Sequence, residues 1–373
     1  MENADVLIIG GGPAGASCAW QLKRYGLDVM VLDRASFPRD KVCAGWVTPA
    51  VLQSLDVAVA QYADGRTLQP ISGFRTSLIG DRDLETDYGE IVSYGIRRCE
   101  FDHFLLQRSG ARLLLGEKIA SLDYRGGQWV VNERIATPML VGAGGHFCPV
   151  ARHLGARPGS SERAVAAKEI EFLLEAEQAE RCRVQPEVPE LYFCRDLKGY
   201  GWCFRKDGYL NVGLGREDPQ KLSEHLDAFC DLLIANGRIP EQVPRFKGHA
   251  YILYRHTNRK VLDDGVLLIG DAAGLAYPAS GEGIRPAVES GLMAAEVIAK
   301  AAGDYRRASL AGYEKRLRSR FGGSGLSPER LLPRPLRNLL GKGLLTSPWA
   351  TRHLILDRGF LHRQQPAFKA AAV

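Results

Sequence analysis

The sequence has no run of about eighteen apolar residues, so nothing in it reads as a membrane-spanning helix. It also has no close cysteine pair. The eight cysteines stand at 18, 43, 99, 148, 182, 194, 203 and 230, a spacing that suggests neither a zinc centre nor a disulfide framework. Apart from Cys43, they read as reduced thiols acting as small core residues. The opening stretch, Met1-Glu-Asn-Ala-Asp5 followed by Val6–Ile9, lacks the basic start, long apolar core and cleavage site of a secretory signal. Cytoplasmic residence is the resulting expectation. No internal repeat, low-complexity tract or nucleic-acid reading module is visible, so nucleic acid is not expected as a partner.

What is present is the composition of an ordinary globular protein, 45% hydrophobic and 25% charged over 373 residues. That length is enough for two or so domains. The net charge of +6 is unevenly placed. Residues 304–369 hold fourteen Lys and Arg against four Asp and Glu, so the rest of the chain is slightly acidic. The basic clusters there (Arg306-Arg307, Lys315-Arg316-Leu-Arg318-Ser-Arg320 and 331–337) alternate with leucines, Trp349 and Phe360. Two readings follow: a helical cap over a neighbouring domain, or peripheral docking on an anionic membrane surface.

Val6–Ile9 is an unbroken apolar run and predicts a buried strand. Gly10-Gly-Gly-Pro-Ala-Gly15 follows it, then a helical stretch over 16–25, and a second strand over 29–32 ending at Asp33. This is the βαβ context that a G-x-G-x-x-G turn requires. Gly10 permits the tight turn, Gly12 lets a pyrophosphate approach the backbone, and Gly15 lets the helix pack on the sheet. With Pro13 and Ala14, the helix start offers unpaired N–H groups and a partial positive charge to phosphates. Asp33 suits a ribose with both hydroxyls and would repel a 2′-phosphate, leaving FAD or NAD as the ligand.

Further strands are predicted over 112–115, 128–131 and 139–141, with β structure over 66–95 and a helix over 98–107. Residues 165–255 form a different region, with strands near 191–193, 201–204 and 210–214 and a helix over 219–236. A buried strand at 266–269 and a long Ala-rich helix over 283–302 then return to the nucleotide half.

Val266-Leu-Leu-Ile-Gly270-Asp271-Ala-Ala-Gly274 is a strand running into a GD turn, and Gly281-Glu-Gly283-Ile284 opens the long helix. Together with Arg98-Cys-Glu-Phe101-Asp102, these segments resemble the flavoprotein superfamily of aromatic hydroxylases and geranylgeranyl reductases. The resemblance implies FAD, with Asp271 on the ribityl chain and the 281–284 segment at the flavin N1–C2=O edge. It places Arg98 over the flavin, Ile119 at the adenine, and Arg34, Ala44 and Gly45 among the cofactor contacts. No metal is implied.

Within that superfamily the chain is similar to the geranylgeranyl reductase family. Lys41-Val-Cys43-Ala-Gly45 matches its K-x-C-x-G loop. Tyr200-Gly-Trp202-Cys-Phe204-Arg-Lys206 matches its Y-x-W-x-F-P-K strand except for Arg205, and Val212-Gly-Leu-Gly215 follows as its V-G-x-G. Flavin halogenases differ in carrying a W-x-W-x-I-P segment, which is absent, and the hydroxylases in the residues around 142–149. The resemblance implies hydride transfer from reduced flavin to a carbon–carbon double bond of a prenyl or other lipid-like substrate. Cys43, Tyr200 and Trp202 are the candidate catalytic residues, and NAD(P)H or a ferredoxin the candidate electron donor. Two alternatives stay open: a flavin monooxygenase acting on an aromatic small molecule or a partner-protein side chain, and a non-catalytic flavoprotein.

The expected fold is α/β. A discontinuous Rossmann-like FAD domain takes 1–65, 90–160 and 258–302. An interleaved α+β substrate domain takes 66–89 and 161–257. Residues 303–373 form a basic helical segment.

Overall fold

The computed structural model describes residues 1–159, 162–322 and 334–371. The basic stretch at 331–337 therefore begins outside the described residues. A six-stranded sheet runs Leu262–Asp263, Val266–Leu268, Met139–Gly142, Val6–Ile9, Val29–Asp33 and Arg112–Leu115. Every pairing in it is parallel except the first. Parallel strands buried on both faces should read as continuous apolar runs, and Val6–Ile9 and Met139–Gly142 are buried at every position. The first helix, Pro13–Arg24, connects the two strands on either side of the glycine turn. The long helix Ile284–Ala301 lies against it. The two approach so closely that a Cβ on Gly291 would stand 2.4 Å from the Ala14 carbonyl oxygen.

The second large sheet has seven strands: Lys247–Tyr251, Val165–Leu173, Tyr209–Arg216, Gly199–Lys206, Glu190–Phe193, Gly73–Leu78 and Leu84–Asp87. All its pairings are antiparallel except Glu190–Phe193 with Gly73–Leu78. One face carries Ile170, Leu210, Val212 and Leu214, which pack on Leu226, Phe229 and Leu233 of the helix Leu222–Ala235. Side chains alternate along a strand, so the opposite face carries Tyr200, Trp202 and Phe204 beside Gly215, Gly213 and Asn211. It also carries Ala167, Glu169 and Glu171.

The strand segments expected at 112–115 and 128–131 have those bounds. The longest strand, Val165–Leu173, was not singled out. Its Lys168, Glu169 and Glu171 obscure the apolar pattern, and Glu169 is nonetheless buried.

The C-terminal chain returns across both sheets. The π-helical segment Thr351–Phe360 seats Phe360 between Trp46, Phe193 and Tyr200, with ring centroids 5.7, 6.0 and 5.3 Å away. Beyond it, the carbonyls of Gln365 and Pro366 accept hydrogen bonds from buried Arg285. Much of the basic surplus is paired internally: Arg320 with Glu289, Arg316 with Glu296 and Arg363 with Glu90. No helix among the described residues is long and apolar enough to cross a membrane.

Candidate active site

A cavity of about 800 Å³ lies between the two large sheets. Gly10, Gly12, Pro13, Ala14, Asp33 and Arg34 line one end together with Ile119. Arg98, Asp271, Gly281, Gly283 and Ile284 line the middle. Cys43, Ala44, Gly45, Tyr200 and Trp202 close the other end, joined by Trp46 and Tyr251. Of the nineteen residues named from sequence, Gly15 and Gly270 lie behind this wall rather than on it. A Cβ on Gly15 would meet the Gly10 carbonyl oxygen at 1.9 Å, so its lack of a side chain serves helix-to-sheet packing. Gly270, at φ +58°, donates its N–H to Ser290 Oγ at 3.0 Å.

Both helices that point at the cavity have glycine at the N-cap, Gly12 and Gly283, with no side chain there to cap them; on the second, Glu282 accepts the N–H of Arg285. Their first N–H groups therefore face the cavity wall with the positive end of the helix dipole behind them. Gly10 adopts φ +116°, and a side chain there would strike the Ala143 carbonyl oxygen at 2.4 Å. Asp33 is held in place by the N–H groups of Gly11 and Ala35, at 2.7 and 2.8 Å.

Arg98 forms a two-pronged ion pair with fully buried Asp102, both contacts at 2.8 Å. Asp102 also takes Arg39 at 3.1 Å. The guanidinium of Arg98 loses hydration, but Asp102 and the Cys43 sulfur outweigh that loss and hold its pKa up. Two more basic groups meet at Asp271, His249 and Lys41. His249 stands 3.9 Å from its carboxylate. Lys41 Nζ reaches the His249 ring nitrogens at 2.9 and 3.1 Å. Burial opposes the charge on Asp271, yet His249, Lys41 and Arg98 together keep it below the ordinary carboxylate range. Burial first, and Arg98 second, bring the Lys41 ammonium down to about 8. Burial likewise lowers His249, helped by Lys41. Lys41, the first residue of the K-x-C-x-G loop, is thus part of this cluster.

The Cys43 turn is fixed from the seven-stranded sheet. Glu169 accepts the Cys43 N–H at 2.9 Å. Asn211 donates to the Cys43 carbonyl at 3.1 Å and to Glu169 at 2.7 Å, and accepts the Trp202 indole N–H at 2.8 Å. Lys206, almost wholly buried, pairs with Glu171 at 2.6 Å and donates to the Ile96 carbonyl at 3.0 Å. Burial pushes Glu169 up to about 7. Burial works the same way on Glu171, but Lys206, Asn211 and Arg97 outweigh it and leave that carboxyl lowered.

The glycines of the two sheet-side motifs have local reasons. Gly45 sits at φ +64°, where a Cβ would strike the Ile96 carbonyl oxygen at 2.2 Å and Lys206 Nζ at 2.5 Å. A Cβ on Gly213 would stand 2.3 Å from the Trp202 ring, so the indole lies across the bare backbone of the adjacent strand. Tyr200 donates its hydroxyl to the Ser280 carbonyl. Phe204 shares the face of Tyr200 and Trp202, but it packs on Trp46 at 6.0 Å in the core and does not reach the cavity.

Sequence reasoning missed Glu169, Asn211, His249, Tyr251 and Glu282. Asn211 immediately precedes the Val212-Gly-Leu-Gly215 motif, and Glu282 lies inside Gly281-Glu-Gly283, so both stood beside a recognised pattern. His249 and Tyr251 lie on an edge strand with no motif of its own. Among the described residues, no group of three or more His, Cys, Asp and Glu is placed to hold a metal ion.

Residues 5–86 match the family model described as FAD dependent oxidoreductase. A menaquinone reductase of Mycobacterium tuberculosis is 30% identical over 80% of this chain and 77% of its own length. A digeranylgeranylglycerophospholipid reductase of Methanothrix thermoacetophila is 30% identical over 86% of this chain and 84% of its own. The crystal structure of a geranylgeranyl bacteriochlorophyll reductase-like protein from Thermoplasma acidophilum superposes with a TM-score of 0.74. It covers all of this chain and 94% of the other at 23% identity, so the α/β fold is shared. The chain belongs to the geranylgeranyl reductase family of FAD-dependent oxidoreductases.

Proposed function

We propose that this FAD-dependent oxidoreductase reduces carbon–carbon double bonds of a prenyl or similarly lipid-like substrate. The observation that carries the reading is the shape of the cavity. Its wall runs from two helix starts with glycine N-caps to an aromatic end formed by Trp46, Tyr200, Trp202 and Tyr251. A substrate with no polar handle requires a pocket of the latter kind. Relatives named as reductases of a quinone and of a prenylated phospholipid support reduction over hydroxylation.

The wall fits an extended flavin dinucleotide. Gly10, Gly12, Pro13 and Ala14 would cradle the pyrophosphate. Asp33 has lone pairs left for a ribose, beside Arg34, and Ile119 would lie at the adenine. Asp271 would accept from the ribityl hydroxyls. Gly283 and Ile284 would aim N–H groups at the flavin's N1–C2=O edge, where charge accumulates on reduction, beside Gly281, whose own N–H is held by the Tyr277 carbonyl. Reduced FAD supplies the hydride. The chain's own residues would bind, orient and exclude water: Arg98 would cover the isoalloxazine, while Cys43, Ala44 and Gly45 would shape the space at its reacting face. Tyr200 and Trp202 hold the alkene against that face. NAD(P)H or a ferredoxin supplies the electrons.

The chain divides, in this reading, into an FAD-binding part (1–65, 90–160, 258–302), a substrate part (66–89, 161–257) and the C-terminal segment from 303. That last part is the point of peripheral membrane contact. Leu340, Leu344 and Trp349 are exposed there, at 49%, 37% and 65%.

Anaerobic incubation with dithionite and geranylgeranylated lipids tests the function. The expected result is the mass of two hydrogen atoms gained per reduced bond. A protein that binds FAD, accepts electrons and leaves every prenyl lipid and prenylquinone unchanged would overturn it.

A further inference from the structure

Reduction of an alkene needs a proton as well as a hydride, and the cavity wall contains three buried polar atoms with no hydrogen-bond partner. They belong to Arg39, Trp46 and Glu282. A guanidinium and an indole N–H do not release protons near neutral pH. Glu282 is the exception: the residue lines the site, and its Oε2 is a buried carboxyl oxygen with no partner.

Resting on the alkene-reductase reading, we propose that Glu282 is the general acid that delivers the proton to the substrate carbon not receiving the hydride. The Glu282 O–H bond breaks as the alkene π pair forms the new C–H bond. The second C–H bond takes its pair from the hydride, and flavin is the species oxidised. The carboxylate left behind regains its proton from water after product leaves.

The geometry keeps Glu282 available for this work. Its Oε1 accepts the backbone N–H of Arg285 at 3.1 Å, leaving Oε2 unengaged. The natural counter-ion, the Arg285 guanidinium, is turned away. It pairs with Glu289 at 2.9 Å and donates to the Gln365 and Pro366 carbonyls at 2.7 and 3.1 Å. With no cation bound to it, a buried carboxyl is more stable neutral. Burial accordingly pushes Glu282 up to about 7, against the partial help that Arg285 gives the charged form and with further opposition from Glu289. That value suits proton transfer at neutral pH.

Glu282 also lies at the right end of the cavity. Tyr200 is anchored to the carbonyl of Ser280, two residues earlier, and its hydroxyl is raised by burial and then by Tyr251, Cys43 and Glu282. The acid therefore belongs to the group of residues at the aromatic end. Lys41 and His249 are engaged with each other beside Asp271. The hydroxyl of Tyr200 is already donated.

The test uses the FAD-loaded protein and a prenyl lipid that the wild type reduces. In an anaerobic single turnover, Glu282→Gln should bind FAD with an unchanged spectrum and consume reduced flavin at least about 10²-fold more slowly. Glu282→Ala should be equally slow, and added formate should restore part of its rate. The wild-type rate should fall as pH rises through about 7, and both variants should lose that dependence. Lys41, His249, Asp271, Tyr251 and Arg285 face the same region, so a fall that persists in the variants would belong to one of them and not to Glu282.

Infrared difference spectra of the wild type against Glu282→Gln supply a readout independent of turnover. A protonated-carboxyl band should be present at pH 6 and disappear above pH 8, about a unit either side of the expected pKa. Unchanged single-turnover rates in both variants, or a carboxylate ionised at pH 6, would overturn the assignment. If the wild type reduces no alkene, the proposed function fails, and the infrared result still decides whether Glu282 stands protonated in the site.

Discussion

The parallel sheet and the seven-stranded sheet each give one wall to the cavity, and they hold their site residues by different means. On the parallel side, residues are placed by backbone: Gly10, Gly12 and Gly283 stand at strand-to-helix turns, and the wall offers peptide N–H groups and helix dipoles. On the other side, residues are placed by a buried side-chain network. Glu169, Glu171, Lys206 and Asn211 join the Cys43 turn to Trp202 through bonds of 2.6 to 3.2 Å. The first arrangement suits a constant ligand bound by its phosphates. The second ties two cavity-lining residues from distant parts of the chain into one unit. It can be altered by changing side chains without disturbing the chain path.

The largest expected effect tests the backbone-placed wall. Gly15→Ala would force a Cβ into the Gly10 carbonyl, 1.9 Å away. Backbone cannot yield as a flexible side chain can, and the loss should exceed about 4 kcal/mol and abolish soluble expression. Gly12→Ala is its counterpart. A Cβ there meets only the end of Arg39, at 3.6 Å, and φ −72° is open to any residue. Thermal stability without cofactor should stay within about 0.5 kcal/mol, while FAD affinity, read by flavin fluorescence titration, falls. Equal loss of stability in both variants would break the distinction between packing glycine and ligand glycine.

That pair also shows what was legible from sequence. The glycine turn, Asp33, the GD turn and the 281–284 segment are local patterns, and the fold carries each of them to the cavity. The network is not local. Glu169 lies 126 residues from Cys43 in the chain and bonds its N–H directly, while Glu171 joins the same network through Asn211, across the pairing of Val165–Leu173 with Tyr209–Arg216. In sequence those acids argue against a buried strand, because charged residues are rarely buried without partners. Here the partners come from other strands, so the very residues that serve the site concealed the strand bearing them. His249 was missed for a similar reason: its partners, Lys41 and Asp271, are distant in sequence.

The network should be the next most sensitive region. Lys206→Ala strands Glu171 in a largely buried position without its principal cation. Breaking one half of such a pair costs about 3 kcal/mol, measurable as a lowered urea midpoint. Lys206→Met, which keeps the stem but not the charge, should recover little. If it recovers most of the loss, Lys206 acts by packing and not by charge. Asn211→Leu should be milder, about 1–2 kcal/mol, because it removes bonds to Trp202, Cys43 and Glu169 but leaves the ion pair. Its distinctive readout is functional: Trp202 fluorescence should shift, and kcat should fall more than KM rises, since binding area is kept while placement is lost.

The smallest effect concerns pH. Glu169 titrates near 7 in the folded protein and near the ordinary carboxylate range when unfolded. Between those values the native state holds a proton that the unfolded chain has released, so stability declines as pH rises from about 4.5 to 7. Glu282 contributes a slope of the same sign, whereas the lowered histidines His249 and His362 contribute the opposite one. The total curve is therefore a poor witness, and the informative quantity is the difference between the wild type and Glu169→Gln. The variant should lack that declining component, whose steepest part is about 1.4 kcal/mol per pH unit. The ionised carboxylate uses both oxygens as acceptors, for the Cys43 N–H and for Asn211. A protonated carboxyl, like a glutamine amide, serves only one of those donors well, so the two proteins should start from similar stability at pH 5. A difference curve that is flat across the interval would mean that Glu169 stays ionised throughout, and that the network holds the Cys43 turn by charge on both acids instead of one.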